Sequence, residues 1–435
     1  MDRLEIGFSG LAIVLALIGL RMPIGLVLAV VSFGGIWACT NLTAAWGLVR
    51  AVPYQFIATW SFSAVPMFLL MGYIASHAGL TNGLFRAMRV MLARLPGGLA
   101  CSTVGACALF AAASGSSVAT SAAMSRIAVP EMIRAGYDKA LATGCVAASG
   151  TLGSLIPPSI LMVLYGVFTQ QSVGQLFMAG FLPGVLSAVI YMGMIVARVK
   201  FSPSLAPERP EAIDKGELKA ALKEIWPLPL LILGVLGGIF LGIMTPTEAG
   251  AVGAFLALLI AAARGRLGVT MMRGALKDAA AGTSVIFIIA MGASMFTSFM
   301  GLSGVPRAVS ETMLSIGDDP ITLILMIAVI YILMGMFIDS IGLMLLTLPI
   351  LMPLLAAADV NMIWFGIIVI KLLEIGLITP PVGLNVYVIN SALRGQVPLP
   401  TIFRGALWFM AMDVLPIVIL VAFPAITLWL PSLMK

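Results

Sequence analysis

The sequence predicts an all-α polytopic membrane protein made of two inverted-topology repeats, and three observations carry that prediction. Hydrophobic residues make up 61% of the chain and charged residues only 10%, with a mean hydropathy of +1.12. A soluble core cannot hide so much apolar surface, because polar residues must cover its outside. Apolar stretches near 20 residues recur from end to end, each roughly long enough to cross a ~30 Å hydrocarbon layer. The second half of the chain also repeats motifs of the first while the charges of its loops reverse.

The repeat is visible in paired prolines. Pro157-Pro158 in GSLIPPS recurs as Pro380-Pro381 in GLITPPV, an offset of 223 residues. The same offset places Gly153 on Gly376, Ser117 on Ser340 and Pro130 on Pro353, so SGSSVATSAAMSRIAVP overlies FIDSIGLMLLTLPILMP. Corresponding loops carry opposite charge. Arg86, Arg89 and Arg94 in the first copy face Arg307, Glu311, Asp318 and Asp319 in the second. Arg126, Arg134 and Lys139 correspond to a segment holding Asp359 and no basic residue. Conversely, uncharged residues 169–175 match a segment with Arg394 and Arg404, and Arg50 stands where the second copy has Arg264, Arg266, Arg273 and Lys277. Because basic loops stay in the cytoplasm, the copies are expected to be inserted in opposite orientation.

Inversion requires an odd number of crossings per copy. The first repeat, residues 1–198, is read as crossings at about 4–20, 23–40, 61–80, 139–168 and 176–198. The second, residues 225–435, crosses at about 225–243, 246–263, 279–301, 362–391 and 405–430. One long apolar stretch remains in each copy, flanked at both ends by loops of the same side. Residues 99–133 and 321–356 are therefore expected to be re-entrant helical hairpins, the first opening to the cytoplasm and the second to the outside. Residues 199–224 form a cytoplasmic linker with a short amphipathic helix near 214–224, and the N-terminus lies outside.

The formal charge of +6 would suggest nucleic acid in a soluble protein, but here Lys and Arg sit in short loops, the positive-inside signature. Cys39, Cys101, Cys107 and Cys145 lie in apolar segments without metal-ligand spacing and read as small buried residues. His77, the one histidine, reads as an interfacial polar residue. The start Met-Asp-Arg-Leu-Glu lacks the basic region of a signal peptide, so residues 1–20 are kept as a mature helix. No Gly-x-Ser-x-Gly, His-Glu-x-x-His or P-loop motif is present, which argues against an enzyme or an ATPase and for no organic cofactor.

Chemistry is expected where helices break at membrane depth, because irregular backbone survives there only when buried in protein or lining a cavity. Each Pro-Pro pair interrupts a crossing, and a proline leaves the carbonyl four residues earlier unpaired. Gly153 and Ser154 would be released in the first copy, Gly376 and Leu377 in the second. Unwound carbonyls suit a dehydrated Na⁺, with hydroxyls available from Thr151, Ser159 and Thr379; a kinked helix without ligand is the alternative. The hairpin tips are Ser114-Gly115-Ser116-Ser117 and Gly335-Met336-Phe337-Ile338-Asp339-Ser340. An intramembrane carboxylate costs about 2.5–3.5 kcal/mol, so Asp339 either serves a pathway or caps the second hairpin helix. The half-helix N-termini would attract an anionic substrate, with Ser116, Ser117, Asp339, Ser340 and Asn385 as candidate binding residues.

At these residues the chain resembles the large membrane subunit of tripartite ATP-independent periplasmic (TRAP) transporters. SGSSVATSAAM, GTLGSLIPPSI, FIDSIGLMLLTLPILMP and EIGLITPPVGLNVYV carry the resemblance, which covers essentially the whole chain. It implies a Na⁺-coupled symporter of the bacterial inner membrane that moves hairpins and broken helices together, elevator fashion. It further implies a small membrane subunit of about four helices, a periplasmic substrate-binding protein, and an organic acid substrate such as a C4-dicarboxylate or sialic acid. Two Na⁺ sites follow from the resemblance: one near the first tip with Gly153, Ile156 and Pro158, the other at Gly335, Gly376, Thr379 and Val382. Ala112 stands opposite Gly335 in the repeat, so Ser114 is assigned as the first hairpin ligand. A self-sufficient ion-coupled carboxylate carrier is the alternative function.

Overall fold

The computed structural model describes residues 2–80, 82–207, 224–317 and 319–434. Asp318 and all but Glu224 of the expected amphipathic helix lie outside the described residues. Those described are helical, with no strand among them, and an order of elements recurs. In the first copy, Gly98–Ser114 and Ser117–Arg134 form a hairpin, Lys139–Leu155 and Ile160–Thr169 form a broken helix, and the long Val173–Phe201 follows. In the second, the same order is Pro320–Gly335 with Ser340–Ala357, Met362–Gly376 with Leu384–Ala392, then Leu399–Ala422. Both Pro-Pro bonds are cis.

Five helices are long and apolar enough to cross a membrane, or seven if each bent pair counts as one span, against the ten crossings expected. Part of the difference is length: Ile24–Cys39 and Pro227–Phe240 are apolar but shorter than a full crossing. Ser340–Ala357, half of an expected hairpin, meets the length criterion by itself.

Some segments read as loops are helices. Residues 40–59 contain Leu42–Ile57, and Asn82–Leu92 and Val305–Ile316 follow the third span of each copy. Asn41 caps the first of these through Ala44 N at 2.8 Å, a local signal that charge counting passed over. The expected span 279–301 extends back into its basic loop as one helix, Val269–Ser303. Its counterpart in the first copy is bent by 58° between Leu42–Ile57 and Trp60–His77. Pro53 lies inside Leu42–Ile57 and Pro66 in the first turn of Ala64–His77, on either side of that bend, whereas residues 269–303 contain no proline.

The copies pack reciprocally. Ile24–Cys39 of the first lies against Val269–Ser303 of the second, and Pro246–Ala263 of the second against Ala64–His77 of the first. Glycines set the closeness: a Cβ on Gly292 would lie 2.3 Å from Gly25 O. Deeper in the fold, Lys139–Leu155 crosses Leu399–Ala422, where a Cβ on Gly144 would stand 2.3 Å from the Gly405 carbonyl carbon. Small residues let backbones approach where lipid offers no hydrophobic drive for helix association. His77 Nε2 meets Asp278 Oδ2 at 2.8 Å, joining the two copies at this layer. Cys101, Cys107 and Cys145 are buried.

Candidate functional site: hairpin tips against broken helices

Each tip sits on the break of its own copy. The first hairpin turns at Gly115, whose φ of 61° is left-handed and favours glycine. Ser116 then caps the next helix through Ala119 N at 3.4 Å. Ile160 N, the first amide beyond the break, donates to Gly115 O at 3.4 Å. A Cβ on Gly153 would lie 2.7 Å from the Ser116 carbonyl and 2.9 Å from Ser117 N, so only glycine admits this tip. In the second copy a Cβ on Gly376 would stand 2.7 Å from the Gly335 Cα. Asp339 Oδ2 accepts from Gly342 N at 3.1 Å, so the carboxylate caps the second hairpin helix.

The two breaks treat their freed carbonyls differently. No described group donates to Gly153 O or Ser154 O. At the second break, however, Thr379 N donates to Gly376 O at 3.1 Å and Asn385 N to Leu377 O at 3.0 Å. The expectation that prolines leave all four oxygens open is thus corrected for the second copy: amides on either side of its Pro-Pro pair, Thr379 before it and Asn385 after it, return to them. Of the hydroxyls, Thr151 donates to Ala148 O at 2.6 Å and Thr379 to Ile375 O at 2.6 Å, while Ser159 Oγ is buried without a partner among the described residues.

Between the tips lies a cavity of 110 Å³ bordered by Ser116, Ser117, Ser154, Asp339, Ser340 and Glu374. Among the described residues, no Lys or Arg lines it. Ser340 Oγ and Glu374 Oε1 are buried with no hydrogen-bond partner among the described residues. A larger cavity of 560 Å³ runs from Ser114 and Ser116 past Tyr73 and Ser76 to Asp278. Four of the five candidate substrate residues therefore share the smaller cavity. Asn385 does not line it; it is fully buried, with both side-chain polar atoms unpartnered among the described residues. Ser114 faces the larger cavity and bonds Thr120 Oγ1 at 2.9 Å; Ile156 and Pro158 are buried at the first break, and Val382 is partly exposed at the second.

Sequence reasoning missed three buried charges: Glu374, which lines this cavity, and the Lys371–Asp413 pair. Ser117 Oγ donates to Glu374 Oε2 at 2.5 Å, and Ser154 Oγ lies 2.8 Å from Ser117 Oγ. With the single Ser117 proton given to the carboxylate, Ser154 is the donor of that second bond. One turn earlier, Lys371 Nζ pairs with Asp413 Oδ1 at 2.6 Å and donates to Tyr191 OH at 3.2 Å; Tyr191 OH donates to Asp413 at 2.5 Å. Charges inside apolar segments were the available signal, since such residues mark paired or functional positions.

A wholly helical described chain, apolar throughout, whose hairpin tips and broken helices enclose a buried polar cavity, has the build of a polytopic membrane transport protein. Comparison with known proteins identifies the family. Residues 11–426 match the tripartite ATP-independent periplasmic transporter, DctM component, and the chain belongs to that family. It is 36% identical over 408 residues to the C4-dicarboxylate TRAP transporter large permease protein DctM of Pseudomonas aeruginosa, covering 92% of this chain and 94% of that one. With the sialic acid TRAP transporter large permease protein SiaM of Vibrio cholerae it shares 32% over 424 residues, 96% and 97% of the two chains. The isethionate TRAP transporter permease protein DctMQ of Oleidesulfovibrio alaskensis is 35% identical over 405 residues, 91% of this chain and 62% of that one. Among solved structures, the Alcanivorax borkumensis YdaH transporter superposes with a TM-score of 0.61 at 14% identity, covering 88% of this chain and 90% of that one, a likeness of fold. The chain is a TRAP transporter large permease subunit, a multi-pass membrane protein.

Proposed function

We propose that this subunit imports an organic acid carboxylate across the bacterial inner membrane, driven by Na⁺ entering with it. The observation that carries the reading is the cavity between the tips: two carboxylates, Asp339 and Glu374, line it and no basic residue among those described does. An anion entering beside two carboxylates needs compensating positive charge, which co-transported cations supply. Sites for about two Na⁺ lie at the breaks, one with Ser114, Gly153, Ile156 and Pro158, the other with Gly335, Gly376, Thr379 and Val382. The open oxygens of Gly153 and Ser154 support the first. Ser116, Ser117, Asp339, Ser340 and Asn385 are assigned to the substrate.

Reciprocal packing of the copies and reversed loop charges support inverted repeats, with the N-terminus outside and the linker in the cytoplasm. In that orientation the 560 Å³ cavity reaches the basic-loop face at Asp278, as an inward-facing state requires. Hairpins and broken helices, tied by glycine contacts, would then move as one body along the outer helices, elevator fashion. A small four-helix membrane subunit and a periplasmic binding protein complete the transporter, the latter choosing among acids such as those named for the relatives.

Uptake into proteoliposomes holding the three components tests the reading: substrate should accumulate under an inward Na⁺ gradient and equilibrate without one. Uptake indifferent to Na⁺ overturns it. Full activity of this chain alone would favour the self-sufficient carrier.

A further inference from the structure

Ser117 and Glu374 are 257 residues apart in sequence, yet their hydrogen bond joins the tip of the first hairpin to the broken helix of the second copy. Among the described residues it is the one hydrogen bond between those two elements. It sits in a continuous line of contacts. Ser117 N lies against Gly153 at the first break, and Ser117 Oγ meets Ser154 there. Glu374 lies two residues before Gly376, whose backbone abuts Gly335 in the second tip. Ion pairing does not account for the carboxylate, because the nearby Lys371 ammonium is taken by Asp413 and Tyr191.

We infer that Glu374 is a positioning residue that couples the two cation sites, by holding the first tip and the second break in one relative geometry through Ser117. A cation drawing Gly153 and the first tip together moves Ser117. Through its short hydrogen bond Ser117 then sets where the helix ending at Gly376 stands against Gly335. Occupancy of either site prepares the other, and by linkage the effect is reciprocal. The inference rests on the Na⁺ reading given above.

The test is a Na⁺ titration of thermal stability, without substrate, on the protein purified with its small membrane subunit. The wild type should stabilise cooperatively, with a Hill coefficient approaching the number of coupled sites. In E374A and S117A the coefficient should fall to about one and the half-saturating Na⁺ should rise by about tenfold, within the usual range of coupling between sites. S117A/E374A should be no worse than either single variant, since both remove the same bond. E374Q keeps an acceptor for Ser117 and should restore cooperativity. Unchanged cooperativity in E374A and S117A overturns the inference, as does an E374Q as impaired as E374A. S117A leaves the carboxylate in place and decides the matter if E374A does not fold. A wild type whose stability ignores Na⁺ overturns the Na⁺ reading itself, whereas a responsive wild type with unaltered variants overturns only the coupling.

Discussion

Gly335 and Gly376 meet backbone to backbone: a methyl group on Gly376 would stand 2.7 Å from the Gly335 Cα, closer than real side-chain carbons come. The second tip thus rests on the second break without an intervening side chain. The first tip is seated likewise, Ser116 against Gly153. Two hairpins made in separate copies reach the same solution, glycine on the break and main chain on the tip.

From this contact, G376A and G153A should each push a tip off its break. Overpacking of this kind costs about 1–3 kcal/mol, and here the group displaced is backbone, which has little room to yield. On the proposed Na⁺-coupled reading, the uptake rate should fall by tenfold or more, a rise of about 1.4 kcal/mol or larger in the activation free energy. Gly301 has open space around its Cβ position and normal backbone angles, so G301A is the matched control and should transport normally. Uptake assays on the three variants decide it.

Lys371 and Asp413 form an ion pair buried from solvent and lipid, completed by Tyr191. Removing one partner strands the other charge. K371M should therefore lose about 3–5 kcal/mol of stability, while K371M/D413L, which leaves no charge behind, should recover much of it. Thermal unfolding of the detergent-solubilised protein measures both, and a double variant less stable than the single would contradict this account.

Asp339 has two separable roles, cap and charge. Asparagine caps a helix about as well as aspartate, so D339N should unfold within about 0.5 kcal/mol of wild type, whereas D339A should lose about 1 kcal/mol with the cap. If the charge serves the cation-filled cavity, D339N should nonetheless raise the Na⁺ concentration needed for half-maximal uptake. Equal Na⁺ dependence in D339N and wild type would reduce Asp339 to a cap.

Orientation is open to a labelling test. In a cysteine-free background, single cysteines at Arg94 and Glu311 lie in the corresponding segments that follow the third span of each copy. Inverted insertion requires a membrane-impermeant thiol reagent applied from outside to intact cells to reach position 311 and not position 94. Labelling of both from the same side would rule out inversion.

Much of this architecture is legible in the chain itself. Residence in a membrane follows from composition, because apolar surface on this scale has no other solvent. The breaks and tips are legible as well, since proline and glycine act on their own backbone wherever they occur. Residues 99–133 and 321–356 fold as helix pairs turning at the expected tips. Less is legible from charge alone: by its charges the helix Leu42–Ile57 reads as a loop, although Asn41 and its apolar face signal a helix.

What only the tertiary structure decided is which polar group meets which. The sequence shows Lys371, Glu374 and Asp413 as three costly charges in apolar surroundings, and nothing local says that Lys371 belongs to Asp413 and Glu374 to Ser117. Nor does it show that the second break re-pairs the Gly376 and Leu377 oxygens while the first leaves those of Gly153 and Ser154 without a donor among the described residues. The reason is physical. Hydropathy, proline breaks and glycine turns act over a few residues and are written in the order of the chain. A buried hydrogen bond depends on the packing of helices hundreds of residues apart, which glycine contacts such as Gly25 on Gly292 and Gly144 on Gly405 bring about only once the whole fold has formed.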